Sequence, residues 1–215
     1  MKKNNLYTFK RYPLIVVLVF FLIILGAVLE KSWHMTPEIH FRMGISEMKL
    51  NHMDKALPHL LIANKSKNSV IHSLSAYQVA KIYSTGTFKD MQKSLFYYEK
   101  AADMKMPEAQ YELALLYDVG DKIPENRDKA IKLMTEAAKT LPKAKYALAV
   151  WIERGYLGTI DQKKAVELYE QAADAGIKNA MKSLISIYHG GYSFFPKNIE
   201  KEHYWRNRLN EESKK

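Results

Sequence analysis

"KAVELYEQAADAG", residues 164–176, has two upstream echoes: "KAIKLMTEAAKT" at 129–140 and "KSLFYYEKAADMK" at 93–105. Positions three, four and seven apart share one face of a helix, so Ala165, Leu168, Tyr169 and Ala172 form a stripe. A second segment recurs between the echoes, as "SAYQVAKIYSTG" (75–86), "AQYELALLYDVG" (109–120) and "AKYALAVWIERG" (144–155). "AMKSLISIYHGG", from Ala180, is a weaker copy and "FRMGISEMKL", from Phe41, a degenerate one. Val79, Ile82 and Tyr83 make the stripe of this second type. Two helices repeating at a fixed period describe a hairpin that cannot bury its apolar face alone, so neighbours must stack.

The punctuation agrees. Lys55-Ala56, Lys93-Ser94, Lys129-Ala130 and Lys164-Ala165 open the second helices, and Ala63, Ala101, Ala137 and Ala172 follow on the same face. Small residues there let helix axes approach closely. Gly86, Gly120, Gly155 and Gly191 end the first helices, where a positive φ is often required. Pro107 and Pro142 open the next units, where a missing N–H costs little. The expected fold is all-α: an α-solenoid of about five helix-turn-helix repeats over 37–211, then a polar tail, 212–215. Tyr204 and Trp205 are expected to pack on the preceding hairpin, with the polar remainder of that helix capping the array.

These residues resemble the Sel-one-like repeat (SLR), a relative of the tetratricopeptide repeat. Its pattern runs A-x-Y-x-L-G-x-x-Y-x-x-G, then D-x-x-K-A-x-x-Y-x-x-x-A-A-x-x-G. Ala109, Tyr111, Leu113, Tyr117 and Gly120 match the first half; Asp161, Lys164, Ala165, Ala172, Ala173 and Gly176 match the second. Ala80, Ala114 and Ala149 replace the first-helix glycine, Ile152 replaces its tyrosine, and the terminal glycine of the second helix survives only as Gly176. That last loss puts the turns after the second and third units in question. The resemblance implies first helices that line a concave face and contact partners through their non-packing positions. Carried onto this chain, those positions are Phe41, Tyr77, Lys81, Tyr111, Leu115, Asp118, Tyr146, Val150, Glu153 and Lys182. The tyrosines either anchor a partner or pack between repeats, because the tyrosine belongs to the family pattern.

Upstream of the repeats, "PLIVVLVFFLIILGAVL" (13–29) carries no charge. The sixteen residues from Leu14 give a helix of about 24 Å, a little short of a roughly 30 Å hydrocarbon core. Tyr12 and Trp33 flank it as interfacial aromatics, and Lys2, Lys3, Lys10 and Arg11 precede it. The expectation is a basic cytoplasmic tail (1–12), a transmembrane signal anchor (13–32), a linker (33–36) and a translocated repeat domain. In a bacterium this is a single-pass inner-membrane protein with its repeats in the periplasm. The competing reading, a cleaved signal peptide, needs small residues that "LGAVLEK" supplies poorly.

Net charge is +10, but 29 basic against 23 acidic residues leave only +6 from Glu30 onward, mixed in sign. That is a solvated helical surface rather than a nucleic-acid face. With no cysteine, thiol nucleophiles and cysteine-based zinc sites are excluded. The seven histidines, "YHGGYS" (188–193) and the scattered carboxylates show neither zinc-ligand spacing nor a phosphate loop. Neither an enzyme nor a cofactor, metal or small-molecule substrate is expected. Asn64-Lys65-Ser66 is a formal glycosylation sequon. The resemblance implies a non-enzymatic adaptor or regulator binding another protein, an envelope component. The alternative is an immunity protein that neutralises a periplasm-delivered toxin such as a secretion-system lipase, a role small membrane-anchored SLR proteins take.

Overall fold

The computed structural model describes residues 35–120, 124–190 and 196–214. The basic tail, the apolar run, Trp33 and Gly191 lie outside the described residues. The chain folds into helices α1 (Pro37–Lys49), α2 (Met53–Ala63), α3 (Ser69–Ser84), α4 (Met91–Asp103) and α5 (Pro107–Val119). These are followed by α6 (Arg127–Ala138), α7 (Pro142–Glu153), α8 (Gln162–Asp174), α9 (Lys178–Gly190) and α10 (Ile199–Glu212). A single 3-10 turn, Gly86–Phe88, follows α3, and the described residues contain no strand. Helices pair as α1–α2, α3–α4, α5–α6, α7–α8 and α9–α10, and each hairpin packs on the next. This is an all-α solenoid of five hairpins.

One local device starts the second helix of four hairpins. Asp90, Asn126, Asp161 and Asn198 accept a side-chain hydrogen bond, at 2.9–3.1 Å, from the backbone N–H of Lys93, Lys129, Lys164 and Lys201. A carboxylate or amide oxygen there satisfies an N–H that the helix leaves unpaired. In three of these hairpins the cap residue also donates its own N–H to a first-helix carbonyl: Asp90 to Tyr83, Asn126 to Tyr117 and Asn198 to Tyr188. The first helices α5 and α7 begin instead with Pro107 and Pro142 and carry no side-chain cap.

The turns after α4, α6 and α8 divide into two kinds. After α8, the Ile177 N–H reaches the Ala172 carbonyl and Gly176 takes φ +88°. After α4, Met106 bonds Ala101 in the same way, and Lys105 holds the left-handed conformation at φ +64° without a glycine. After α6, Leu141 bonds Ala137 across one residue fewer, so no left-handed residue is needed. The missing glycines thus mark one strained turn and one shortened turn.

Alanine rows hold the stack together. Ala56, Ala130, Ala165 and Ser94 are fully buried, as are Ala63, Ala101, Ala137 and Ala172. Ser94 fills the alanine position at no polar cost, because its hydroxyl donates to the Ala80 carbonyl at 3.0 Å. Tyr169 is buried beside Ala165, while Leu168 is half-buried against the edge of the same core. The core splits at α3: Val79 and Ile82 face the first hairpin, while Ala76, Tyr77 and Ala80 join the continuous core of the remaining four. At the C-terminal end Trp205 is buried, but Tyr204 is 51% exposed and does not pack on the hairpin as expected. Its hydroxyl accepts from Arg208 instead, since adjacent residues on a helix point about 100° apart.

A candidate partner-binding face on the first helices

The residues singled out from the repeat register lie on α1, α3, α5, α7 and α9. Tyr77 is buried, its ring centroid 5.9 Å from that of Tyr98 on α4, with Lys81 Nζ 5.6 Å above it. Burial, reinforced by Glu112 and Glu108 on α5, pushes the Tyr77 hydroxyl up to about 12. Tyr111 is half-buried under the Lys143 ammonium of the next hairpin, 4.2 Å from the ring centroid, and Lys143 also pairs with Glu112 at 3.1 Å. Burial again raises the Tyr111 pKa, with Glu112 and then Tyr146 adding to it. Tyr146 rests against Tyr169, centroids 5.8 Å apart. Through Lys143, α7 thus touches both Tyr111 and Glu112 of α5.

Around this row the side chains differ from hairpin to hairpin. Lys81 and Lys182 are exposed, while Phe41, Leu115 and Val150 are half-buried. One turn further on, Ser84 donates to the Lys81 carbonyl, Glu153 accepts from the Tyr169 hydroxyl, and Met134 stands where α4 and α8 carry Tyr98 and Tyr169. Asp118 raises the pKa of Tyr156, whose ring stacks on Trp151 and lies 4.5 Å from the Arg127 guanidinium. The site therefore has a fixed aromatic floor and a variable rim.

A second arrangement was not anticipated from the spacing of packing residues. The Tyr117 hydroxyl donates to Glu99 of the preceding hairpin at 2.8 Å, and Lys129 Nζ donates to both, at 2.7 Å and 3.0 Å. Tyr188, Glu170 and Lys201 repeat it at 2.9, 3.1 and 3.2 Å. Desolvation opposes ionisation of Glu99, but its hydrogen bonds from Tyr117 and Lys129 outweigh that and hold the carboxyl below its usual range. Where Ile152 replaces the tyrosine, Thr135 stands at the glutamate position, five residues past Ala130, and the triad is missing. The repeated lysine is therefore a staple between hairpins. The signal that would have revealed it is the constant 18-residue separation of glutamate and tyrosine.

Among the described residues no cluster of three or more His, Asp or Glu side chains is placed to hold a metal, and no helix is long and apolar enough to cross a membrane. The sequon asparagine, Asn64, is buried, donates to the His72 carbonyl at 3.1 Å and accepts from Lys100 at 2.9 Å. A glycan cannot be attached there in the folded chain.

Comparison with known proteins follows this geometry. The Sel1 repeat family matches residues 73–106, 107–139 and 142–177. Chitin synthase regulatory factor 3 of Schizosaccharomyces pombe is 30% identical over 126 residues, covering 55% of this chain and 14% of that protein. The alginate biosynthesis protein AlgK of Pseudomonas syringae pv. tomato is 29% identical over 126 residues, covering 58% of this chain and 27% of that protein. The chain thus spans well under a third of the curated relatives it matches. The crystal structure of a Sel1 repeat protein from Oxalobacter formigenes superposes with a TM-score of 0.69 at 23% identity, covering 81% of this chain and 73% of that one. That likeness shows the fold.

Proposed function

From the Sel1 repeat matches within 73–177 we propose a membrane-anchored, non-enzymatic adaptor that binds another protein through its first-helix face. The observation that carries the reading is the contrast within that face. The Tyr77, Tyr111 and Tyr146 floor is constant, whereas Lys81, Leu115 and Val150 occupy equivalent positions with different chemistry. A repeated scaffold with a varied rim is how such arrays write specificity. The uncharged run at 13–29, with four cations before it, supports an anchor whose far side is exoplasmic. One relative is named for regulation of chitin synthase and another for alginate biosynthesis, both in keeping with a role beside envelope machinery.

Photocrosslinking tests this directly. A crosslinking amino acid at Leu115 or Val150 is expected to trap the same protein in cells, while one at exposed Phe96 on α4 traps none. Lys81→Glu with Lys182→Glu is expected to weaken that adduct without changing helix content. An endogenous envelope component in the adduct identifies an adaptor; a delivered toxin identifies an immunity protein. Adducts with lipid alone, or turnover of an envelope substrate by the purified chain, overturn the reading.

A further inference from the structure

The two ends of a solenoid face water, and a terminal repeat ordinarily turns a polar surface outward. Helix α1 departs from this. Its inward face carries Phe41, Gly44, Ile45 and Met48 against α2. On the opposite face Ile39 is 44% exposed, Met43 37% and Leu50 60%. At about 100° per residue these three fall within one narrow arc, and exposed Arg42 and Lys49 lie along one border of it. The two acids of α1 are turned aside: Glu38 accepts from Ser66 at 3.1 Å and Glu47 pairs with His52 at 3.0 Å. The outer stripe thus carries three apolar side chains and one exposed polar residue, Ser46, with cations along one border and no unpaired carboxylate.

Sequence supplies the occupant. Only Glu30–His34 separate the uncharged run from Met35, and that linker spans at most about 20 Å. Helix α1, with 13 residues, is itself about 20 Å long. Wherever the run is set, α1 stays within one helix length of its end. An apolar stripe with basic flanks is the composition that lies in the plane of a bilayer interface, apolar side chains in the headgroup–acyl boundary and cations among the headgroup phosphates.

We propose that α1 docks on the lipid surface through Ile39, Met43 and Leu50, with Arg42 and Lys49 on phosphate headgroups. This rests on the anchored reading above. It fixes the orientation of the array: the first hairpin lies on the membrane and later hairpins project from it, presenting α3, α5 and α7 to partners.

The absence of cysteine makes the test clean. The full chain, with Met43→Cys carrying a bimane, is reconstituted in phosphatidylglycerol–phosphatidylcholine nanodiscs containing a spin-labelled lipid. Tyr204→Cys, also exposed but in the last hairpin, serves as the control. The expected result is strong loss of fluorescence at Met43 and none at Tyr204, with the loss at Met43 reduced by Arg42→Glu and Lys49→Glu together. A chain that washes off the nanodisc overturns the anchored reading, and the docking with it. A chain that stays embedded while Met43 remains unquenched overturns the docking alone. In a parallel sample without the label, disulfide formation between Met43→Cys copies on addition of an oxidant, with no quenching of the labelled chain, overturns it in favour of a second copy of this chain as the occupant.

Discussion

Replacing Gly44 by alanine sets two opposed effects against each other, and the structure decides which wins. Gly44 lies inside α1 at the position held by Ala80, Ala114 and Ala149 in the later hairpins. In an exposed helix this change stabilises by about 1 kcal/mol, through the backbone freedom glycine loses on folding. Here a new Cβ falls 2.7 Å from Leu60 Cγ, 2.8 Å from its Cδ2 and 3.3 Å from the Ala56 carbonyl oxygen. Leu60 is fully buried, so its branched end has little room to yield. Overpacking of this kind costs about 1–3 kcal/mol, and the net change is a destabilisation of about 0–2 kcal/mol. Removing the obstruction reverses the sign. With Leu60→Ala in place, itself costing about 2–5 kcal/mol, Gly44→Ala becomes stabilising by about 1 kcal/mol. The coupling between the two sites is then about 1–3 kcal/mol. Hydrogen exchange of the α1 and α2 amides reads this best, because a terminal hairpin opens without unfolding the array. Gly44→Ala stabilising the parent chain, or the same effect in both backgrounds, would refute the close approach of Leu60 to α1.

Other expectations are smaller. The Glu99–Tyr117–Lys129 staple is partly solvated, so Glu99→Gln costs under about 1 kcal/mol and Tyr117→Phe about 1 kcal/mol in urea unfolding; a loss of several kcal/mol from Glu99→Gln would show a more buried network. Lys105→Gly relieves a left-handed lysine and raises stability by about 0.5–1 kcal/mol, whereas Gly120→Ala, at φ +65° and 2.9 Å from Glu125 Cβ, lowers it by about 1–2 kcal/mol. His40 meets His59 at 2.8 Å, and burial followed by the second imidazole lowers its pKa below 6.5. The unfolded chain therefore binds more protons in mild acid, so this contribution to stability is complete above about pH 6.5 and falls away as the pH drops through the folded value. Comparing wild type with His40→Asn from about pH 7.5 to about pH 5.5 should show a steeper loss in the wild type.

Much of the architecture was legible in one dimension because helical packing is periodic and local. Alanines seven apart on a second helix must share a face, and Ala165 with Ala172 or Ala130 with Ala137 are indeed buried in pairs. Terminal aromatics were harder to read, since Tyr204 and Trp205 are neighbours in sequence and only one can face the core. The staples left only one trace in the sequence, the 18-residue spacing of glutamate and tyrosine. Glu99, Tyr117 and Lys129 come from three helices, and their meeting depends on how far one hairpin is rotated on the next.

Composition and period alone determine that this chain stacks helical hairpins and that its small residues point inward, because those follow from 3.6-residue geometry. Tertiary structure decides that the Tyr77 ring is buried while Lys81 above it is exposed, that a lysine carries the strained turn at residue 105, and that α1 turns Ile39, Met43 and Leu50 outward. Each of these depends on which face a neighbouring hairpin covers. That is set by the angle between packed helices, and no repeat spells it out in its own residues.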